Sequence, residues 1–207
     1  MQVESHDYSV GFITPQSVMK SVVQISCLDD ATGQFGYDGQ GIIYAQVDNY
    51  LYIATAKHCL PRSNTKLLEI TTIDKKKVDF IDYRIVYNPN DVDAGMIEVR
   101  LQNNSDENYY AATNSMIVSN KILIGDTAIV ESIFNSRNIV TKNAIITSGT
   151  TGSFSPYKTE PGDSGSPVIG RYGVIGLVSG SYVGNNTSYF VPIEEFEILY
   201  VYFRHAN

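Results

Sequence analysis

The chain has 207 residues, 43% of them hydrophobic, which is enough to bury a core in one large domain or two small ones. Its 22 acidic residues outnumber its 15 basic ones, and the net charge of −7 argues against a phosphate-binding surface and hence against a nucleic-acid partner. No apolar run approaches the roughly 20 residues that a membrane span requires. The N-terminal stretch has neither the basic region nor the apolar core of a signal peptide, so none is expected in this sequence.

Residues 1–15 are polar and weakly patterned, and we expect them to form an arm on the surface. From Ser17 onward, short apolar runs are separated by turn residues, a pattern that predicts β-strands. The predicted strands cover 21–27, 41–45, 50–55, 66–73, 77–86, 96–101, 127–134, 138–147, 168–169, 172–178 and 188–192. Strands at this regular spacing, with few helical patterns, are typical of an all-β barrel or sandwich.

The end of the chain is an exception to the β pattern. From Pro192 to Tyr200 acidic residues come early and apolar residues recur at helical spacing, which predicts a short C-terminal helix. The segment 102–114 is rich in Asn, Asp and Tyr and is interpreted as a crossing between two halves of similar β texture. We therefore predict two packed barrels that share a cleft, the first domain over 16–110 and the second over 111–207.

One stretch in the second half has the composition of a specialised turn, Thr159-Glu160-Pro161-Gly162-Asp163-Ser164-Gly165-Ser166-Pro167. Gly162 and Gly165 permit backbone conformations that residues with a Cβ avoid, so Ser164 can lie at the tip with its hydroxyl exposed. The N–H groups of Gly162 and Ser164 can then turn toward one point, as an oxyanion site requires. Clusters of these residue types also occur as plain turns, and two other parts of the chain decide between the two interpretations.

A serine hydroxyl needs a base to accept its proton before it becomes a good nucleophile. Of the three histidines, His6 lies in the polar arm and His205 lies almost at the last residue. His58 instead follows the strand-like run that ends at Ala56, so a rigid element can direct it into a cleft. His58 is therefore the predicted base.

The base in turn needs an acceptor that fixes its tautomer and stabilises the imidazolium. Asp91 and Asp93 are the candidates, and a carboxylate with this role should lie just ahead of a buried strand. Asp93 is followed directly by the small and apolar run Ala94-Gly95-Met96-Ile97. We therefore choose Asp93 and interpret Asp91 as its solvated neighbour.

These three motifs, in the order His, Asp, Ser, resemble those of the chymotrypsin-like serine proteases. The second half is most similar to the streptogrisin branch, through Glu160 to Gly165 and the later strand Ile175-Gly176-Leu177-Val178-Ser179-Gly180. The resemblance implies an all-β fold of two packed antiparallel six-stranded β-barrels with the active site between them and a short C-terminal helix. It also implies a serine endopeptidase that needs no metal and no cofactor.

By the same resemblance, Ser164 would be the nucleophile, His58 the general base and then acid, and Asp93 the orienting carboxylate. The N–H groups of Gly162 and Ser164 would form the oxyanion hole. A polypeptide substrate would pair with the strand Ser179-Gly180-Ser181, and the specificity pocket would involve Thr159 and Val178.

The chain departs from the family pattern in three places. The usual partner of Cys59 is absent and Cys27 lies on an earlier strand, so we expect no disulfide. No terminal activation motif is present, so Asp163, if buried, must find a donor other than the terminal amine. The pocket lacks the histidine of glutamate-selective relatives, since Val178 stands there, and either Lys158 or Pro156 falls in the pocket depending on the loop alignment.

Three settings remain open for this chain. It could be a secreted bacterial protease whose leader is missing, or a protease domain excised from a viral polyprotein. It could also be a catalytically silent binding module that kept the fold, although the complete set of His58, Asp93 and Ser164 argues against that interpretation.

Overall fold

The computed structural model describes residues 15–29, 32–61, 68–102, 109, 111, 118–134, 138–148, 152–155 and 158–205. The elements within these ranges follow one another as α1 (Pro15–Met19), β1 (Val22–Asp29), β2 (Gln34–Val47), β3 (Tyr50–Ala56), β4 (Leu68–Thr72), β5 (Phe80–Tyr87), β6 (Ala94–Leu101), β7 (Thr127–Phe134), β8 (Asn138–Ser148), β9 (Ser153–Ser155), β10 (Pro167–Gly170), β11 (Gly173–Ser181), β12 (Ser188–Pro192) and α2 (Ile193–His205). A short 3₁₀ helix, Lys57–Cys59, follows β3.

The first six strands form one antiparallel sheet in the order β4-β1-β2-β3-β6-β5. Its central strand β3 is buried on both faces, which is why its sequence is almost continuously apolar. Because side chains alternate along a strand, Leu51 and Ile53 enter the interior of this sheet while Tyr52 and Ala54 face the other way. This sheet is open, a half-barrel with β4 and β5 at its edges.

The last six strands close into a barrel in the order β10-β11-β12-β9-β8-β7, and β7 pairs with β10 to complete the ring. The inward positions of β7 alternate in the same way, with Ala128 and Val130 in the barrel core. Phe154 and Phe190 fill the same core with their rings 6.0 Å apart. The next inward position of β7 is a buried serine, Ser132, whose partners lie at the site described below.

A third apolar cluster joins the two units and α2. Helix α2 places Ile193, Phe196, Leu199 and Phe203 on its buried side, at the three- and four-residue spacing of one helix face. Across this cluster the ring of Tyr52 on β3 lies 5.0 Å from Tyr200 and 5.9 Å from Phe203. The C-terminal helix therefore stabilises the first sheet as well as the barrel.

The predicted all-β fold with two six-stranded antiparallel units and a C-terminal helix is confirmed, the first unit being an open half-barrel and the second a closed barrel. Helix α2 continues past the predicted end at Tyr200 to His205, since Phe203 finds a buried site against the first sheet. Strand β2 begins earlier than predicted because its polar half, from Gln34, pairs with β1. The short elements α1 and β9 were not predicted, and the domain boundaries at 15 and 110 stay a prediction.

Neither helix in the described ranges is long and apolar enough to cross a membrane.

Candidate active site

His58 is held by the 3₁₀ helix that turns the chain at the end of β3. The amide of Lys57 donates to the main-chain carbonyl of Asp93 at 3.2 Å, and the amide of His58 donates to Asp93 Oδ1 at 3.0 Å. These two bonds fix the end of β3 against the start of β6, its neighbour in the sheet. His58 thus projects from a paired strand end, with its side chain 50% exposed.

Asp93 immediately precedes β6 and accepts three hydrogen bonds. Oδ1 accepts from the His58 amide, and Oδ2 accepts from His58 Nδ1 at 2.8 Å and from the Ser179 hydroxyl. Asp91, by contrast, points into solvent with its side chain fully exposed, and Lys57 lies 3.4 Å from it. Of the two aspartates considered from the sequence, Asp93 is the one that the structure brings to His58.

Ser164 lies in the loop between β9 and β10, on the barrel side of the cleft. Gly162 and Gly165 in this loop have φ angles of +98° and +83°, the region that favours glycine. The Gly165 amide donates to the carbonyl of Val178 at 2.8 Å, which ties the loop to β11. The glycines flanking Ser164 therefore have the backbone conformation that the sequence suggested.

The three side chains meet although they are distant in sequence. His58 Nδ1 lies 2.8 Å from Asp93 Oδ2, and His58 Nε2 lies 2.9 Å from Ser164 Oγ. An ionised carboxylate only accepts hydrogen bonds, so Nδ1 carries a proton, and in the neutral ring Nε2 is then free to accept from the Ser164 hydroxyl. The arrangement can move a proton from Ser164 to His58.

The electrostatics of the pair favour a charged imidazole beside an ionised carboxylate. The hydrogen bond to Asp93 is the largest influence on the pKa of His58 and raises it above its ordinary value of 6.5; a contact with Cys59 adds to the rise, while burial opposes it. Burial by itself raises the pKa of the Asp93 carboxyl, but the hydrogen bonds from His58 and Ser179 together outweigh it, so this pKa lies below its usual range. Asp93 is therefore ionised at neutral pH and stabilises positive charge on His58.

A cleft of about 510 Å³ opens beside these residues, lined by Lys57, His58, Leu60, Tyr87, Asp91 and Asp93. It is large enough for part of an extended peptide or a small ligand. Of the other two histidines, His205 is exposed at the end of α2, and His6 lies outside the described residues.

The predicted pocket residues on the loop and on β11 occupy different environments. The amide of Thr159 donates to the hydroxyl of buried Ser188 at 2.9 Å, so these residues join the loop to β12. Val178 is fully buried and belongs to the barrel core. Lys158 is exposed, and Pro156, the alternative in the loop alignment, lies outside the described residues.

The predicted substrate-pairing strand forms the end of β11. Ser179 directs its hydroxyl to Asp93, Gly180 pairs with Tyr189, and Ser181 pairs with Ser188 of β12. A Cβ at Gly180 would lie 2.7 Å from the Tyr189 hydroxyl, so a side chain at this position would require the Tyr189 ring to shift. Strand β10 pairs through its residues 167–170 with β11 as far as Leu177, so this pairing does not extend to Ser179, Gly180 or Ser181.

The sequence left the hydrogen-bond partner of Asp163 open and did not point to Ser132 and Gln40, which lie near the site. Asp163 is fully buried, and its carboxylate accepts from the Ser132 hydroxyl at 2.6 Å and from the Glu160 amide at 2.9 Å. Gln40 in turn donates to Ser132 at 2.9 Å. Alternation along β7 could have placed Ser132 inside the barrel, and Gln40 stands out as a polar residue between two glycines ahead of an apolar run.

Cys27 and Cys59 are not joined by a disulfide, and the first is partly exposed while the second is buried. Among the described residues, no group of three or more His, Cys, Asp or Glu side chains could hold a metal ion.

No protein-family model and no curated protein sequence matches the chain. Solved structures do match, among them a serine endoprotease from Yersinia pestis, which superposes with a TM-score of 0.68 at 16% sequence identity. The match covers 93% of this chain but only 66% of the length of that structure. With its six-stranded half-barrel, its closed six-stranded barrel and its C-terminal helix, the chain has the chymotrypsin-like fold.

Proposed function

We propose that the protein is a serine endopeptidase that hydrolyses peptide bonds through an acyl-enzyme, with Ser164, His58 and Asp93 as its catalytic residues. The observation that carries the proposal is the pair of hydrogen bonds at His58, 2.8 Å to Asp93 and 2.9 Å to Ser164. A nucleophile, a base and an orienting carboxylate in this order are the recurring requirement for acyl transfer by serine. The likeness to a serine endoprotease supports the same reaction class.

In the first half of the reaction, Ser164 Oγ forms a bond to the carbonyl carbon of the substrate while its proton passes to His58 Nε2. The carbonyl oxygen becomes an oxyanion, which the N–H groups of Gly162 and Ser164 would stabilise. His58 then gives the proton to the leaving nitrogen as the C–N bond breaks. An ester to Ser164 and a free amine are left.

In the second half, water takes the place of the amine. His58 Nε2 accepts a proton from the water as its oxygen attacks the ester carbon, and returns that proton to Ser164 Oγ as the ester bond breaks. A carboxylic acid leaves and the enzyme is restored. In both halves His58 carries a positive charge at the tetrahedral stage, when the ionised Asp93 stabilises it most.

A polypeptide substrate would bind by adding a strand beside Ser179–Ser181. Strand β12 pairs with one edge of this segment, and β10 does not reach along the other. Main-chain hydrogen bonds from an extended peptide would then supply affinity at that edge, and side-chain pockets would supply selectivity. The cleft beside His58 gives room for the residues that follow or precede the scissile bond.

Labelling with a fluorophosphonate probe tests the proposal, because the probe phosphonylates an activated serine. The wild type should be labelled and should cleave a peptide library, and Ser164→Ala should do neither while keeping its melting temperature. Substitution of a reacting residue should cost several orders of magnitude in rate, and Ser164→Ala combined with His58→Ala should be little worse than either alone. A folded wild type that is neither labelled nor cleaves any peptide would favour the binding-module interpretation.

A further inference from the structure

Gln40 on β2 contacts the loop that carries Ser164 through both its main chain and its side chain. Its main-chain amide donates to the carbonyl of Ser164 at 2.8 Å, and its side-chain Nε2 donates to the carbonyl of Gly162, also at 2.8 Å. The residue is fully buried. A strand of the first sheet therefore holds the loop of the second unit on both sides of Asp163.

The side-chain amide of Gln40 has a defined orientation. The Gly162 carbonyl can only accept, so the nitrogen and not the oxygen of the amide must face it. The second N–H of Nε2 points to Ser132 Oγ at 2.9 Å, and the single hydroxyl hydrogen of Ser132 then goes to Asp163 Oδ1 at 2.6 Å. The Gln40 amide thus donates to the Ser132 hydroxyl, and this hydroxyl donates to the Asp163 carboxylate.

This chain of donors ends on a buried charge that would otherwise be costly. A buried carboxylate needs hydrogen bonds or an opposite charge to offset the loss of hydration. Asp163 receives them from the Ser132 hydroxyl and the Glu160 amide. Gln40 thereby orients the hydroxyl that holds the carboxylate next to Ser164.

The same contacts fix the peptide planes on either side of Asp163. In a trans peptide the carbonyl and the N–H point in opposite directions. Gln40 holds the carbonyl of Gly162, so the amide of Asp163 faces the other way, where it donates to Glu160 at 3.0 Å. This peptide unit lies between the two amides proposed to bind the oxyanion.

The next peptide plane is held as well. The carbonyl of Asp163 accepts from the Ser166 amide at 3.0 Å, which turns the amide of Ser164 in the opposite direction. Among the described residues, the Ser164 amide donates no hydrogen bond to another main-chain group. A donor that is fixed in direction and not used by the fold is what an oxyanion site requires.

Gln40 is itself immobilised from the side of the first sheet. The hydroxyl of Thr55 on β3 donates to the Gln40 carbonyl. That carbonyl lies so close to Gly165 that a Cβ there would approach it to 1.8 Å. The loop and the strand are therefore packed backbone to backbone, with little freedom to shift.

We propose that Gln40 is a positioning residue, which acts with Ser132 to hold the Ser164 loop with its amide donors directed at the substrate carbonyl. This inference rests on the proposed endopeptidase function and adds to it the residues that fix the conformation of the Ser164 loop. Gln40 touches neither the substrate nor the reacting atoms. Its effect should appear in the transition state, where the oxyanion forms, and not in the binding of the substrate.

The test compares Gln40→Met with Gln46→Met. Methionine has about the length of glutamine but no amide donors, and Gln46 lies on the same strand, where its side-chain oxygen accepts from the amide of Tyr109 at 2.8 Å. For each variant we would measure kcat and KM on a cleaved peptide, the melting temperature, and the Ki of a peptide boronic acid, which forms a tetrahedral adduct with Ser164. The NMR titration of His58 reports whether the base is undisturbed.

In Gln40→Met, kcat should fall by about 10- to 100-fold, less than or comparable to the loss of one oxyanion donor, with KM changed by less than about threefold. The boronate Ki should rise in parallel with the loss in kcat, and the His58 titration should stay as in the wild type. Gln46→Met should leave all these quantities unchanged. A merely structural role would lower the melting temperature without this split between kcat and KM.

Ser132→Ala provides a second, smaller perturbation, and it replaces Gln40→Met as the test if that variant does not fold. It removes the hydroxyl from Asp163 and leaves the Gln40 bond to Gly162 in place, so its loss in kcat should be smaller and not additive with that of Gln40→Met. A folded Gln40→Met or Ser132→Ala with wild-type kcat and boronate affinity would overturn the positioning role alone. A wild type that cleaves no peptide would overturn the endopeptidase function, and this inference with it.

Discussion

The sharpest prediction concerns Asp93→Asn, because the structure decides how the new amide must lie. One oxygen of Asp93 faces the main-chain amide of His58 at 3.0 Å, a group that can only donate. The asparagine oxygen must therefore take this place, and its NH₂ group must face His58 Nδ1 and the Ser179 hydroxyl. Ser179 can rotate its hydrogen away, and Nδ1 can accept only by losing its own proton.

The consequence is a change of tautomer. With Nδ1 as acceptor, the neutral ring of His58 carries its proton on Nε2, the atom 2.9 Å from Ser164 Oγ. That nitrogen can then no longer accept the serine proton. The expected loss in kcat is on the order of 10⁴-fold, equivalent to about 5.5 kcal/mol in the activation free energy.

The assay is peptide hydrolysis as a function of pH, with an NMR titration of His58 in parallel. The pKa of His58 should fall in Asp93→Asn, since the hydrogen bond to the carboxylate is the largest influence that raises it. The matched control is Asp91→Asn, two residues earlier and fully exposed. Its backbone has φ +61°, which asparagine tolerates, and its exposed pair with Lys57 contributes little. Since Asp91 lines the cleft but does not contact His58, kcat should stay within about twofold of the wild type even if KM changes.

If Asp93→Asn keeps more than about a tenth of the wild-type kcat, the tautomer argument is wrong. The same holds if Asp91→Asn loses as much as Asp93→Asn, because the effect would then come from charge near the cleft and not from the hydrogen bond to His58.

Three further predictions concern the pH profile, the Ser164 loop and the C-terminal helix. Because His58 must be neutral to act as a base and its pKa is raised, wild-type kcat/KM should increase with pH through a midpoint above 6.5, and a flat profile from pH 5 to 9 would contradict this. Gly165→Ala should lower kcat/KM by about 100-fold or more, because Gly165 has a φ of +83° and the new Cβ would lie 1.8 Å from the Gln40 carbonyl oxygen. A variant with nearly wild-type turnover would show that the loop can relax. Phe203→Ala, at a fully buried position, should reduce the free energy of unfolding measured in urea by about 3–5 kcal/mol. The control Tyr202→Ala, at a position 59% exposed, should change this free energy by less than about 1 kcal/mol. Equal effects of the two substitutions would mean that α2 does not pack as described.

Much of the fold was predictable because it depends on local patterns. Alternation and turn residues located most strands, and acidic residues ahead of the apolar spacing located helix α2. The beginning of β2 could not be located in this way, since its polar residues from Gln34 are ordered only by pairing with β1. The end of α2 at His205 could not be predicted for a similar reason, because the burial of Phe203 depends on its packing against Tyr52 of β3.

The predicted site residues also differ in how far the sequence could lead. Residues adjacent in sequence were sufficient to predict that His58 lies at the end of a strand, Asp93 at the start of one and Ser164 in a tight turn. Val178 was predicted to bind substrate because it stands on the strand where glutamate-selective relatives carry a histidine. Its side chain is buried in the barrel core, and its role in substrate binding stays a prediction.

What the sequence by itself determined is the chemistry available to the chain: a serine between two glycines, a histidine after a strand and an aspartate before one. Only the tertiary structure decided which groups hold that chemistry in place. The donors to buried Asp163 come from Ser132 and, behind it, Gln40, 31 and 123 positions away from the carboxylate along the chain. No local pattern links such residues, since hydrogen-bond partners across two packed sheets are chosen by the register and packing of strands that pair at long range.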